Sequence, residues 1–417
     1  MEIFGYSVTL SFDLILFIIF LLVLSITLYF KRKELVLQKI LHPFIYIIMY
    51  RTTWGLALME KMASKYRGAV QLFGYVSVGV GFVGMLYISL GLLIFFFKMV
   101  FFPVAETNGV SLVLPFTHIP GIGYLSFTHW ILSIFVLAIV HEFSHGVVAR
   151  SHHVPVKSSG FAVFALLAPI IPAAFVEPDE KKLGKTHDIV QYSVFAAGPM
   201  ANLVLAFVLI LLFPYVGDMT NSTLAPFEDT ITSPVGFTYE ILEEEGYPAY
   251  SAGVENGILS SLDGKSINDY SEFYSYATCL GPHEKVILGT DSGNYSITTI
   301  AHPDHPETPD KGFIGMKPVQ NERRINPEYA GIAGVYYWLR GFIKWLFLLN
   351  LFIGLANLLP LGIVDGGRML QTALHSLFDD KNKAQKVWGI ISMLFLGGLL
   401  LALVINYTGN PFVWLFG

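Results

Sequence analysis

Six long apolar runs divide the chain, roughly Phe12–Phe30, Leu72–Phe102, Thr128–Ala149, Ile189–Val216, Val335–Leu359 and Val387–Tyr407. Each comes close to the roughly 20 residues that a helix needs to cross a bilayer, so the pattern predicts six membrane-spanning helices. Between the fourth and fifth runs the apolar residues thin out and begin to alternate with polar ones. That stretch, about 218–328, reads as short strands at Thr238–Leu242, Lys285–Gly289 and Tyr295–Ile300, with a helix at Tyr270–Ala277. Two segments fit neither pattern. Ile40–Arg67 mixes apolar residues with Arg51, Glu60, Lys61 and Lys65, which predicts amphipathic helices lying on a membrane face. Gly160–Val176 is apolar but short, and Pro169 and Pro172 interrupt it, so a buried or re-entrant segment is expected there.

Composition turns this pattern into a class. Hydrophobic residues make up 54% of the 417, charged residues only 14%, and mean hydropathy is +0.58. Soluble domains carry about a quarter charged residues, so lipid solvates most of this chain. A secreted or cytosolic enzyme, a disordered scaffold and a nucleic-acid binder are thereby excluded; a net charge of −5 leaves no basic field for a phosphate backbone. The single cysteine, Cys279, allows neither an internal disulfide nor a cysteine zinc cluster. Any metal must be held by histidines and carboxylates.

Charge placement predicts sidedness. The first run lacks a basic flank before it and is followed directly by Lys31-Arg32-Lys33, the pattern of an anchor with its N-terminus outside rather than a cleaved signal. Lys and Arg number eight in 31–71, five in 150–188 and four from Arg368 to Lys386, all on one side if the spans alternate. By the positive-inside rule that side is the cytosol of a cell-membrane protein, and the 218–328 insert is extracytoplasmic.

The insert contains Gly246-Tyr247-Pro248-Ala249-Tyr250-Ser251-Ala252-Gly253-Val254-Glu255-Asn256-Gly257, then Leu262-Asp263-Gly264-Lys265. These residues resemble a PDZ domain of the kind associated with proteases. That likeness implies a carboxylate-binding loop at Ser233-Pro234-Val235-Gly236-Phe237, ahead of the first strand, although no basic residue lies in it.

The chemistry concentrates within the apolar runs. His141-Glu142-Phe143-Ser144-His145 places two imidazoles at i and i+4, on one helix face, where both can reach one metal. Two neutral histidines suit Zn²⁺, and the adjacent Glu142 can take a proton from water at the metal. Ionisable side chains at membrane depth are costly, and three of them in five positions point to function. A catalytic zinc site needs a third protein ligand. Asp365, in Asn357-Leu358-Leu359-Pro360-Leu361-Gly362-Ile363-Val364-Asp365-Gly366-Gly367, is a candidate at comparable depth; taken alone it suits the N-cap of the following helix equally well, and beside HExxH the ligand reading is favoured. Ala196-Ala197-Gly198-Pro199-Met200-Ala201-Asn202 combines small residues for close packing with an intramembrane amide. Asn202 and Asn357 either hold a substrate carbonyl or bridge helices.

HExxH in one run, GPxxN in the next, then a PDZ-like insert and NxxPxxxxDG in a third resemble the site-2 protease family of intramembrane zinc metalloproteases, with the longer archaeal members the nearest in layout. The resemblance covers roughly 128–370. It implies a multi-pass α-helical membrane protein of about six transmembrane helices plus re-entrant or interfacial segments, with an inserted PDZ-like α+β domain. It divides the chain into N-terminal helices (1–127), a catalytic core (128–217 and 329–380) around the PDZ-like domain (218–328), and a C-terminal helix (381–417). It further implies one Zn²⁺ held by His141, His145 and Asp365, Glu142 as the catalytic residue, and Asn202 and Asn357 flanking the substrate. The expected partners are the lipid bilayer and a single-pass membrane protein already trimmed of any bulky outer domain. Three other readings compete. Prenyl-protein endopeptidases also carry HExxH but need a later intramembrane Glu, which the apolar runs after His145 lack. A metal transporter needs polar residues continuing across several spans. A catalytically inactive PDZ-bearing adaptor has no use for an intact set of two histidines and two acids.

Overall fold

The structure, a computed structural model, describes residues 2–3, 6–7, 11–41, 45–102, 110, 112–119, 122–166, 168–213, 226–303 and 310–411. In chain order its principal helices are α1 (Phe12–Lys31), α2 (Leu56–Lys65), α3 (Arg67–Phe101), α4 (Phe127–Ser151), α5 (Asp188–Ile210), α6 (Tyr270–Ala277), α7 (Ala330–Ala356), α8 (Asp365–Leu377) and α9 (Lys381–Thr408). Among the described residues six helices are long and apolar enough to cross a membrane, namely α1, α3, α4, α5, α9 and α7 with the turn that precedes it. Each overlaps one predicted run. The end of the fourth run, 214–216, and the start of the insert, 218–225, lie outside the described residues. The chain divides into two compact units, Met1–Leu212 with Arg340–Gly417, and Phe213–Leu339.

The first unit is built around α4 and α5. Ala196 and Ala197 are fully buried and join Val148, Val194 and Met369 in its core. Small residues draw the helices together, as expected where lipid gives no hydrophobic drive and packing must supply the attraction. A side chain on Gly74 would press on Ser193 and Val148, and one on Gly81 would strike Met369. Asp13 near the start of α1 reaches α4 and accepts the Phe127 and Thr128 amides at 2.6 and 3.1 Å.

One expectation is corrected in this unit. Among the described residues of Ile40–Arg67, Leu56–Lys65 is helical and Arg67 opens α3. Leu35–Leu41 and Ile45–Thr52 are instead strands β1 and β2. The reason lies in the residues: Ile45, Tyr46, Ile47, Ile48, Tyr50 and Thr52 are β-branched or aromatic and favour the pleated surface. Gly160–Val176, expected as a buried or re-entrant segment, has strand structure in its described residues. It belongs to a hairpin of β3 (Val156–Leu166) and β4 (Ala168–Pro178), completing an antiparallel sheet in the order β1-β2-β3-β4. Pro172 stands in β4, an outer strand of the sheet, where proline is tolerated. Residue 167 and the Pro169 side chain lie outside the described residues.

The second unit is β-rich. Strands β5 (Thr232–Ile241), β6 (Gly257–Leu262), β7 (Lys285–Thr290), β8 (Gly293–Thr298) and β9 (Met316–Ile325) form an antiparallel sheet in the order β8-β7-β6-β5-β9. Asp263 and Gly264, both at positive φ, close the two-residue turn that pairs Leu262 with Lys265. Phe237, Tyr239, Leu259, Leu288, Ile297 and Phe273 fill the core. Burial pushes the Tyr239 hydroxyl up to about 12, and it donates to the Glu255 carbonyl at 2.9 Å. The predicted carboxylate-binding loop Ser233–Phe237 is not a loop. It lies within β5, which is flanked by β6 and β9, and the Gly236 Cα sits too close to the Leu259 carbonyl to carry a side chain. β-propensity at Phe237 and Thr238 extends back through Val235, so the strand starts earlier than the sequence pattern suggests.

Candidate metal centre

The α4 helix begins at Ser126, whose hydroxyl accepts the His129 amide, and runs unbroken through the HExxH residues. His141 and His145 are both buried, each with 8% exposure, and their rings meet edge to face with centroids 4.8 Å apart. On the other side of the site the chain breaks after α7 at Asn357–Val364 and re-forms as α8, starting at Asp365. That break brings the Asp365 carboxylate to the imidazoles, with Oδ2 at 3.0 Å from His141 Nε2 and 3.3 Å from His145 Nε2. It does not cap its own helix; Val364 occupies that position and supplies no side-chain bond. The two glycines that follow are needed for the break. A Cβ on Gly366 would run into the Leu358 and Leu359 carbonyls, and one on Gly367 into that of Leu361. The Gly366 amide donates to the Asn357 carbonyl at 2.7 Å, closing the turn.

The three side chains fit a tetrahedral cation. Their ligand atoms all lie within 4.8 Å of one another. Zinc bonds of about 2.0–2.1 Å place tetrahedral ligand atoms about 3.3 Å apart, close to the two His–Asp distances. Gly198 of α5 forms the opposite wall. A Cβ there would collide with the Nε2 atoms of both histidines, so only glycine leaves this space open. His145 is held by a short contact of Nδ1 with the Val194 carbonyl, 2.6 Å, which as a hydrogen bond fixes the proton on Nδ1 and turns the Nε2 lone pair toward Asp365.

Glu142 follows His141 directly and lines the same cavity. Its Oε2 accepts the Val176 amide of β4 at 2.9 Å, so the hairpin holds this carboxylate in place. A cavity of about 220 Å³ opens here, and Glu142, His145, Asp365, Phe175, Val176 and Arg368 are among its lining residues. At its edge Arg368 pairs with Glu180. Asp179 caps the short helix that carries Glu180, accepting the Lys181 and Lys182 amides at 3.1 Å, and the Lys182 amide is the chief reason its carboxyl is held below the usual range.

The two asparagines occupy different places. Asn202 is fully buried in α5, and its Nδ2 lies 3.2 Å from His141 Nδ1. Asn357 directly follows α7, and its Nδ2 donates back to the Ile353 carbonyl at 3.0 Å. Sequence reasoning did not find Val176 or the Val194 carbonyl. Both act through backbone atoms, which leave no signature in residue type.

Comparison with known proteins places this geometry. The model of Peptidase family M50 matches residues 129–400, more than half of the chain. An uncharacterized protein of Methanocaldococcus jannaschii is 26% identical over 277 residues, covering 64% of this chain and 64% of that protein's own length. Six apolar helices and a family match that takes in the HExxH, GPxxN and Asp365 segments agree: the chain is a multi-pass helical membrane protein and belongs to peptidase family M50, the site-2 protease family.

Proposed function

We propose that this protein is an intramembrane zinc metalloprotease that hydrolyses a peptide bond in or near a transmembrane segment of a membrane-anchored substrate. The observation that carries the reading is the convergence of His141, His145 and Asp365 on one point, with Glu142 in the cavity that His145 and Asp365 line. His141, His145 and Asp365 hold one Zn²⁺ per chain. When bound, the metal supplies Lewis acidity, polarising the scissile carbonyl and lowering the pKa of water. Glu142 removes a proton from the attacking water and hands it to the leaving amine, which then departs as a neutral group. The Val176 amide keeps the Glu142 carboxylate facing the cavity during that exchange.

Catalysis requires an unwound substrate, because a helix hides its carbonyls in its own hydrogen bonds. Strand β4 supports this requirement: it is the outer strand of its sheet, and Phe175 and Val176 line the cavity wall. An extended substrate segment adds along it and gains main-chain bonds in place of those lost from its helix. Asn357, at the broken end of α7, flanks the substrate backbone. The β-rich unit is a PDZ-like domain on the extracytoplasmic side, and it filters substrates by admitting those already trimmed. The basic residues of 31–71, 150–188 and 368–386 face the cytosol, and water reaches the site from there.

The test is zinc content of detergent-purified protein beside cleavage of a single-pass substrate, for wild type, Glu142→Gln and Asp365→Ala. One zinc per chain and cleavage in the wild type are expected. Glu142→Gln should keep the zinc and lose cleavage by at least about 100-fold, the size of a general-base contribution. Asp365→Ala should lose both. Wild-type protein without zinc sinks the reading, and zinc without cleavage of varied substrates turns it toward a binding protein.

A further inference from the structure

The proposal above assigns His141 to the metal through Nε2, and that assignment makes a demand on its other nitrogen. A neutral imidazole that gives Nε2 to a cation carries its proton on Nδ1, and a buried N–H must find an acceptor. For His145 the acceptor is the Val194 carbonyl. For His141 the group facing Nδ1 is the Asn202 amide, at 3.2 Å. Asn202 has no exposed surface, and its Oδ1 is a buried oxygen without a hydrogen-bond partner among the described residues. A lone buried amide oxygen is costly. A half-turn of the planar amide about its Cβ–Cγ bond exchanges Oδ1 and Nδ2. That rotation puts the orphaned oxygen against the Nδ1–H of His141, giving both a partner, and moves the NH₂ to the place Oδ1 held.

We infer that Asn202 is a positioning residue for the metal centre: its side-chain oxygen accepts the Nδ1 proton of His141 and so fixes the ring in the tautomer that presents Nε2 to Zn²⁺. The inference rests on the metal-site reading above. It moves Asn202 away from contact with substrate. The packing around it agrees, since the amide is enclosed between α4 and α7, with a Cβ on Gly354 only 3.2 Å from its own Cβ. The role also explains why the residue stands in α5 four positions after Gly198. One turn of the helix separates them, so a single face of α5 offers the gap beside the two Nε2 atoms and the acceptor behind His141.

The experiment compares zinc affinity, by chelator competition on detergent-purified full-length protein, for wild type, Asn202→Asp and Asn202→Leu. Asp keeps an acceptor; Leu keeps the volume and has none. Loss of such an outer hydrogen-bond partner typically weakens metal binding 10–100-fold, so Asn202→Leu should bind zinc about 10–100-fold more weakly. Asn202→Asp should stay within about threefold of wild type. Thermal unfolding of the metal-stripped proteins provides the control, and Asn202→Leu should unfold no earlier than wild type there. Wild-type zinc affinity in Asn202→Leu overturns the inference, as does an equal loss in both variants accompanied by early unfolding without metal, which marks a purely structural amide. Unchanged zinc affinity with a raised KM in both variants also overturns it, in favour of substrate contact. If wild-type protein itself binds no zinc, the metal-site reading falls together with it, and that result is separate from all three.

Discussion

Gly198 shows how a single hydrogen atom can decide a site. The two imidazoles approach the α5 backbone so closely that a methyl group there would overlap both Nε2 atoms. Those rings are buried, and His145 is anchored from behind by the Val194 carbonyl, so neither can retreat without breaking what orients it. Gly198→Ala should therefore lower zinc affinity by at least about tenfold, the lower end of what disturbed ligand orientation costs. Full zinc occupancy in that variant, measured by metal analysis under chelator challenge, would show that the rings can shift at little cost. At this scale the sequence is informative about the ligands and less so about their supports. HExxH announces two histidines because helical periodicity alone puts them on one face. Asp365 alone reads as ligand or cap, HExxH tips it toward ligand, and the break at Asn357–Val364 carries its carboxylate to the imidazoles. Asn202 reads only as a buried amide until the distance to His141 Nδ1 is known.

Among the elements, α4 bears the heaviest load, since both histidines and Glu142 depend on where it starts and how it is turned. Its first turn is tied down twice. Ser126 accepts the His129 amide, and Asp13 of α1 accepts those of Phe127 and Thr128. A carboxylate at a helix N-terminus satisfies free amides and meets the positive end of the dipole. Asp13→Ala should cost about 1 kcal/mol, as lost caps do, seen as a lower unfolding temperature in detergent with zinc still bound. An unchanged unfolding temperature would mean that water caps α4 equally well. Strand elements were harder to read than helices. Apolar runs of helical length have one reading in a membrane protein, whereas short apolar segments such as Gly160–Val176 suit a plug, a helix or a strand. What selects the hairpin is pairing: β3 finds β2 on one side and β4 on the other, partners more than a hundred residues apart in the first case.

For the molecule as a whole, the distribution of Lys and Arg predicts one orientation, and the chain carries its own reporter. Cys279 is the single cysteine and is exposed in the β-rich unit. A membrane-impermeant maleimide should label it in intact cells without prior permeabilisation. Labelling only after the membrane is opened would reverse the orientation and place the unit in the cytosol. The β-rich unit also shows how far a motif can be trusted. Its helix Tyr270–Ala277 falls where the pattern places it, and Asp263-Gly264 makes the turn that its residues favour. The proposed binding loop fails, because whether a strand is central or outer is a property of the sheet and not of the strand. β5 lies between β6 and β9, and the outer positions belong to β8 and β9.

By itself the sequence determined the solvent, the number of apolar helices, the pair of histidines with their neighbouring acid, and the family those motifs resemble. Each of these follows from composition or from periodicity within one element, and such short-range order is written directly in the chain. Tertiary structure decided the rest: that Asp365 meets the imidazoles, that Gly198 leaves them room, that Val176 holds Glu142, and that Asn202 faces His141. These depend on atoms brought together from separate elements, often backbone atoms common to every residue, and only the packing of α4, α5, α8 and the β3–β4 hairpin brings them within a few ångströms.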